Sequence, residues 1–202
     1  MKVTRKTTES KITVTIGDTL TPDYRKKIRT PSAFLNHMIE HIAYRFGRNI
    51  ECELELADFT LDHLVFEDLG ITLGRAVLEL LKIQDCVPGF GDSAGIIDEA
   101  NAHVYLSFEN RAYFELSQAV TIPVEAEDCK AEDLAAFLEG FAQGAVCTVQ
   151  AEIRKGVNSH HIWESVFRAF GSALKEVFRY DDSRKGLTAG VAGAITFEVE
   201  NK

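Results

Sequence analysis

Residues 63–81 read HLVFEDLGITLGRAVLELL, and residues 160–178 read HHIWESVFRAFGSALKEVF. At a constant offset of 97, His63 meets His160, Glu67 meets Glu164, and Gly74 meets Gly171. Apolar positions coincide as well: Val65 with Ile162, Phe66 with Trp163, Ala76 with Ala173 and Val77 with Leu174. Polar and glycine identities in phase with a shared apolar pattern mark an internal repeat. The chain of 202 residues therefore reads as two copies of one unit, each near half its length.

Working outward, each copy has the same plan. Lys11–Ile16 alternates and is rich in β-branched residues, so it reads as a strand. Pro31 opens a helix from Ser32 to about Phe46. Cys52–Leu56 alternates again, and Asp62 is placed to cap a helix over His63–Leu81. In the second copy, Val104–Phe108, Tyr113–Leu116 and Thr148–Ile153 read as strands. Helices are expected from Ala131 to about Gln143, with Glu132 and Asp133 suiting the N-terminal dipole, and from Asn158 or Ser159 to about Phe178. Val87–Gly95 holds Pro88, Gly89, Gly91 and Gly95 and reads as a connection; it lacks the spacing of a dinucleotide loop. The expectation is an α+β fold of two tandem repeats, each a sheet covered by two helices. The first repeat is assigned residues 1–85, the connection 86–95 and the second repeat 96–202, packed as one unit.

Composition agrees with a globular chain: 46% hydrophobic and 26% charged residues exclude an intrinsically disordered one. A net charge of −9 argues against nonspecific binding to nucleic acid or anionic lipid. The basic run Arg25–Arg29 reads as a solvated strand or loop face. No apolar stretch approaches a membrane span, and Met1–Arg5 leads into a polar segment with no secretory character. Cys52, Cys86, Cys129 and Cys147 are scattered and read as reduced, buried thiols of a cytoplasmic protein.

His63 and Glu67 are four residues apart and share a helical face, as do His160 and Glu164. An imidazole nitrogen and a carboxylate oxygen on adjacent turns can grip one divalent cation of the Mn, Fe or Zn type. His161 lies about 100° further round its helix and faces a different centre. His37 and His41, also four apart, lie on the preceding helix. His103, on a strand, reads as structural. No nucleophilic triad or phosphate loop is present in the sequence, so a metal site points to Lewis-acid chemistry.

These segments resemble the imidazoleglycerol-phosphate dehydratase family over nearly the whole chain. Arg5–Ile12 is similar to the family opening RxTxETxI, and Phe34-Leu35-Asn36-His37-Met38 to FLDHM. Asp62–Asp68 is similar to DHHTxED, and Asp98-Glu99-Ala100 to the DEA segment. Arg111 falls on the arginine of SGRPY, and Asn158–Ser165 resembles NAHHxxES closely. The resemblance implies a ribosomal protein S5 domain 2-like fold. It implies trimers assembled into a 24-subunit cage, active sites between subunits, and two Mn ions holding the substrate as an imidazolate. Glu9 is then the proton-transfer candidate beside Glu67 and Glu164, and Arg111 and Arg168 the residues for the substrate phosphate. His37, His63, Glu67, His160, His161 and Glu164 are the implied metal ligands.

Other family positions are replaced. The second histidine of DHH is Leu64, the histidine of EHFFRSF falls on Ala136, and that of ARHG on Arg45. The arginine of RFG is Gly89, and the lysine of STKG is Ala189. Neither leucine nor alanine can ligate a cation. The repeat logic then expects one retained site from His63, Glu67, His161 and His37, with His160 and Glu164 weakened by the loss at Leu64; His41 is a local substitute. Three readings stand at this point: a dehydratase acting on imidazoleglycerol phosphate in histidine biosynthesis, a divergent paralog with another single-metal reaction, and a noncatalytic structural or regulatory member.

Overall fold

The repeat is visible in the order of the elements. In the computed structural model, which describes residues 1–58, 61–193, 195–196 and 198–200, the first copy runs strand–strand–helix–strand–helix. Its elements are β1 (Lys2–Lys6), β2 (Ser10–Ile16), α1 (Ala33–Phe46), β3 (Ile50–Leu56) and α2 (Asp62–Lys82). The second copy has β4 (Phe90–Ile97), β5 (Ala100–Ser107), an added β6 (Tyr113–Gln118), the short hairpin of β7 (Glu125–Ala126) and β8 (Cys129–Lys130), then α3 (Ala131–Ala145), β9 (Thr148–Lys155) and α4 (Ser159–Val177). One sheet is ordered β1-β2-β3 and is antiparallel; the other is β4-β5-β9-β6, with β6 parallel to β9. The first copy reduces this fourth strand to one parallel bridge, Ile28 to Cys52.

The expected connection is a strand. Phe90–Ile97 pairs with β5 along its whole length, so the boundary at 96 falls inside β4. The glycine-rich composition that suggested a linker serves packing instead. A Cβ on Gly91 would lie 2.3 Å from the Ala173 carbonyl oxygen, and one on Gly95 would lie 2.0 Å from that of Ser165. Only a strand without side chains at these positions lets α4 approach this closely.

The helices of the two copies meet between the sheets, α2 against α3 and α1 against α4. Gly70 and Gly74 of α2 abut the carbonyls of Phe137 and Phe141, while Gly140 and Gly144 of α3 abut those of Glu67 and Ile71. Phe137–Phe167 and Phe141–Phe170 ring pairs, with centroids 5.6 and 4.8 Å apart, join α3 to α4. Phe66, Trp163, Phe167 and Phe170 are fully buried in this layer, each stabilising by about 1.5–3 kcal/mol relative to exposure.

Caps fix where the helices begin. Ser32 accepts from the Leu35 N–H at the start of α1, and Asn158 from the His160 and His161 N–H groups at the start of α4. At α2 the expected Asp62 cap is displaced: the N-cap is Leu61, which has no side-chain acceptor, and Asp62 lies within the first turn. Acidic Asp62 there still complements the helix dipole. Asp68 anchors α2 to the first hairpin through Ser10 Oγ at 2.7 Å and Arg5 Nη1 at 2.6 Å. The four cysteines are buried and unpaired, and burial pushes the Cys52 thiol up to about 12. The basic run forms a single 3-10 turn, Tyr24–Lys27, with Arg25 facing Glu40 and Lys27 facing Glu51. No helix among the described residues is long and apolar enough to cross a membrane.

Candidate metal centre

The contact of α1 with α4 brings three imidazoles to one carboxylate. Glu164, one turn into α4, is buried, with its side chain 4% exposed. Its Oε2 lies 3.3 Å from His37 Nε2 and 3.0 Å from His160 Nε2. Its Oε1 lies 3.1 Å from His41 Nε2 and pairs with the Arg168 guanidinium. His41 Nε2 is also 3.3 Å from His37 Nε2. His37, His160 and Glu164 thus each present a ligand atom within 4.8 Å of the other two.

A carboxylate behind His160 sets its tautomer, and one faces His37 at longer range. His160 Nδ1 lies 2.9 Å from Glu127 Oε1, and His37 Nδ1 lies 3.6 Å from Glu40 Oε2. An Nδ1 proton held on an outer carboxylate leaves the Nε2 lone pair directed inward, the arrangement of histidines that ligate metals. Burial of Glu164 alone would raise its pKa; His41, Arg168, His160 and His37 outweigh burial and hold it below the usual carboxylate value. Burial drives His41 down to about 4, against the pull of Glu164. At neutral pH its imidazole is therefore neutral, with a lone pair to offer.

The start of α2 is built differently. His63, with a side chain 63% exposed, lies 4.0 Å from Glu67 and 3.4 Å from Asp133 of α3. Asp133 beside His63 and Gly140 against Glu67 mark the facing stripe of α3, and Ala136 sits between them at helical spacing. The position that mirrors the imidazoles of α1 is therefore a methyl group.

The expected set of His63, Glu67, His161 and His37 does not converge within the chain. His37 stands with His160 and Glu164, because α1 packs on α4 and not on α2. His161 turns away, as its 100° rotation implies, and its Nδ1 lies 2.8 Å from Glu99 Oε2. This hydrogen bond raises the His161 pKa. The Asn158 N–H and His161 together bring Glu99 down to about 2. Glu9 is exposed in the turn between β1 and β2, one residue before Ser10, which bonds Asp68 of α2. It therefore belongs to the Glu67 side of the molecule. Arg168 pairs with Glu164 and, at 2.8 Å, donates to the Ile96 carbonyl, so it supports the carboxylate. Arg111 is exposed and makes no ion pair among the described residues. Gly89 and Ala189 are brought together: a Cβ on Gly89, which has φ +67°, would lie 2.3 Å from the Ala189 Cβ.

Sequence reasoning missed Glu40, Glu127 and Asp133 as partners of the histidines. Glu40 was readable, three residues after His37 on the same helix. Glu127 was not, because it comes from the β7–β8 turn with φ +55° and shares no element with His160.

The family model described as imidazoleglycerol-phosphate dehydratase matches residues 30–174. The chain is 32% identical over 197 residues to the imidazoleglycerol-phosphate dehydratase of Burkholderia cenocepacia, covering 96% of this chain and 98% of that protein. The Burkholderia pseudomallei enzyme gives the same values. Among solved structures, that of the Pyrococcus furiosus enzyme in complex with (S)-C348 superposes with a TM-score of 0.78 at 29% identity, covering 95% of this chain and 99% of that one. The Staphylococcus aureus enzyme gives 0.74 at 26% identity, covering 89% and 99%. A repeat fold of this architecture and a matched span that includes His37, His160 and Glu164 establish that the chain belongs to the imidazoleglycerol-phosphate dehydratase family.

Proposed function

We propose that the protein is an imidazoleglycerol-phosphate dehydratase, a carbon–oxygen lyase that removes water from imidazoleglycerol phosphate in histidine biosynthesis. The observation that carries this reading is the convergence of His37, His160 and Glu164 in a chain of that family. The donor set fits a first-row divalent cation, proposed to be manganese, since imidazole with carboxylate suits such ions and no thiolate takes part. When bound, that ion would supply a Lewis acid for the substrate's imidazole ring.

The protein's own groups then divide the work. Arg168 is the permanent cation beside Glu164, while Glu127 orients the His160 ring and Glu40 faces His37. Glu67, with a side chain 40% exposed, and Glu9, exposed in the turn between β1 and β2, are the proposed proton-transfer groups. Arg111 is free to meet the phosphate. His63, Glu67 and His161 do not converge within the chain and, with Leu64 and Ala136 in place of imidazoles, form no second full centre in this reading; the proposed assembly is a trimer-based homo-oligomer of up to 24 subunits. A cytoplasmic setting suits the buried, reduced cysteines.

Turnover of imidazoleglycerol phosphate by the purified protein tests this. Activity with Mn2+ that disappears on chelation and returns on readdition is expected. A metal-loaded protein with no turnover would contradict the dehydratase reading.

A further inference from the structure

His41 lies one turn after His37 on α1, and its side chain is only 18% exposed. Its Nε2 faces the two groups a cation would share, at 3.3 Å from His37 Nε2 and 3.1 Å from Glu164 Oε1. Two further separations at the cluster are 3.3 Å, from His37 Nε2 to Glu164 Oε2, and 3.0 Å, from His160 Nε2 to the same oxygen. Neighbouring donors around one tetrahedral or octahedral cation, with bonds of about 2.0–2.2 Å, are about 3.0–3.4 Å apart. These four pairwise separations fall in or at that range; His41 stands outside the group of His37, His160 and Glu164 whose ligand atoms all lie within 4.8 Å of one another, so its ring must move toward that group to close the set.

Proton counting points the same way. His160 Nδ1 hydrogen-bonds Glu127 at 2.9 Å and His37 Nδ1 faces Glu40 at 3.6 Å, so an anion favours the proton on the outer nitrogen of each ring. Their Nε2 lone pairs then face the oxygens of an ionised carboxylate, with a third imidazole nitrogen beside them. A divalent cation among these acceptors satisfies all of them, whereas hydrogen bonds alone require extra protons on the imidazoles.

We infer that His41 is a further ligand of the His37–His160–Glu164 centre, so that one chain supplies three imidazoles and a carboxylate without help from another copy. This rests on the reading of that cluster as a metal centre. Leu64 and the lost imidazole it represents then cost this centre nothing, because α1 supplies the replacement from within.

Cobalt(II) is the probe, added to the full-length protein. In the proton NMR spectrum of the Co2+-loaded wild type, three exchangeable imidazole N–H signals shifted far from the diamagnetic range are expected. Two would overturn the inference. His41→Gln, with its folding checked by circular dichroism, is expected to lower Co2+ affinity at least about tenfold. Unchanged affinity in that variant would also overturn it. The wild-type signal count stands even where the variant fails to fold. A wild-type protein that binds no Co2+ overturns the metal centre itself, and with it the role of His41.

Discussion

At the start of α4, Glu164 is 4% exposed and touches His37, His41, His160 and Arg168. At the start of α2, its repeat counterpart Glu67 is 40% exposed, and His63 stands 4.0 Å away. The motif is the same in both copies, so the motif does not make the centre. Neighbours do: α1 brings two imidazoles to α4, while α3 brings Ala136 and the acid Asp133 to α2. Counterpart positions diverge in the same sense. Arg168, which holds Glu164, corresponds to Ile71, and His161 corresponds to Leu64. Duplication preserved the scaffold at both ends and a converging ligand set at one.

Breaking the two carboxylates should give the largest contrast. Glu164→Gln leaves Arg168 without its anion in a half-buried site, and such losses cost about 3–5 kcal/mol. Glu67→Gln, at a mostly solvated carboxylate, should stay within about 0.5 kcal/mol. Denaturant unfolding of the two variants in metal-free buffer reads the difference, and equal losses would remove the asymmetry.

The helix contacts beneath the two sites offer the next contrast. Gly74 and Gly171 are repeat counterparts. A Cβ on Gly74 would lie 2.2 Å from the Phe141 carbonyl oxygen, and one on Gly171 would lie 2.8 Å from Ile42 backbone atoms. Overpacking costs about 1–3 kcal/mol or more, so Gly74→Ala should lower the melting temperature further than Gly171→Ala.

Rebuilding the open site sharpens the comparison from the other side. Ala136→His places an imidazole on the α3 stripe that faces His63 and Glu67. A Co2+ titration of this variant should show one additional equivalent bound per chain relative to wild type. No gain would mean that the missing imidazole is not what keeps that site open.

The smallest effect concerns His161, the position that Leu64 replaces in the other copy. Its pKa is raised by the hydrogen bond it donates to Glu99, so the ring should keep its proton to a higher pH than an ordinary histidine. Glu99→Gln removes that anion and should bring the midpoint back down. A proton NMR titration of the ring follows both, and a midpoint unmoved by the substitution would contradict the contact as its cause.

Much of this was legible in the sequence. The offset of 97 between His63-x3-Glu67 and His160-x3-Glu164 announced the duplication, and β-branched alternation at Lys11–Ile16 marked a strand of the first sheet. Family motifs named His37, His160 and Glu164 as ligands. Their grouping was not legible, because helical spacing describes one helix at a time. The crossing of α1 onto α4 depends on glycines whose purpose appears only in three dimensions. Gly171 meets Ile42 of α1, and Gly91 and Gly95 look like a linker until α4 is seen lying on them. Arg168 shows a related limit. Its place after His160-His161 suggests a phosphate contact, and its pairing with Glu164, four residues earlier on the same helix, is a second role that spacing alone also allows. His41 carried no motif of its own, and only its 3.1 Å approach to Glu164 distinguishes it from a histidine of the packed layer.

The central claim is that the α1–α4 contact forms a metal centre that the α2 end does not match. Calorimetric titration of Mn2+ into metal-free His160→Ala and His63→Ala, against wild type, tests it most directly. The account predicts that the tightest binding event vanishes in His160→Ala and persists in His63→Ala. Persistence in His160→Ala with loss in His63→Ala would contradict it.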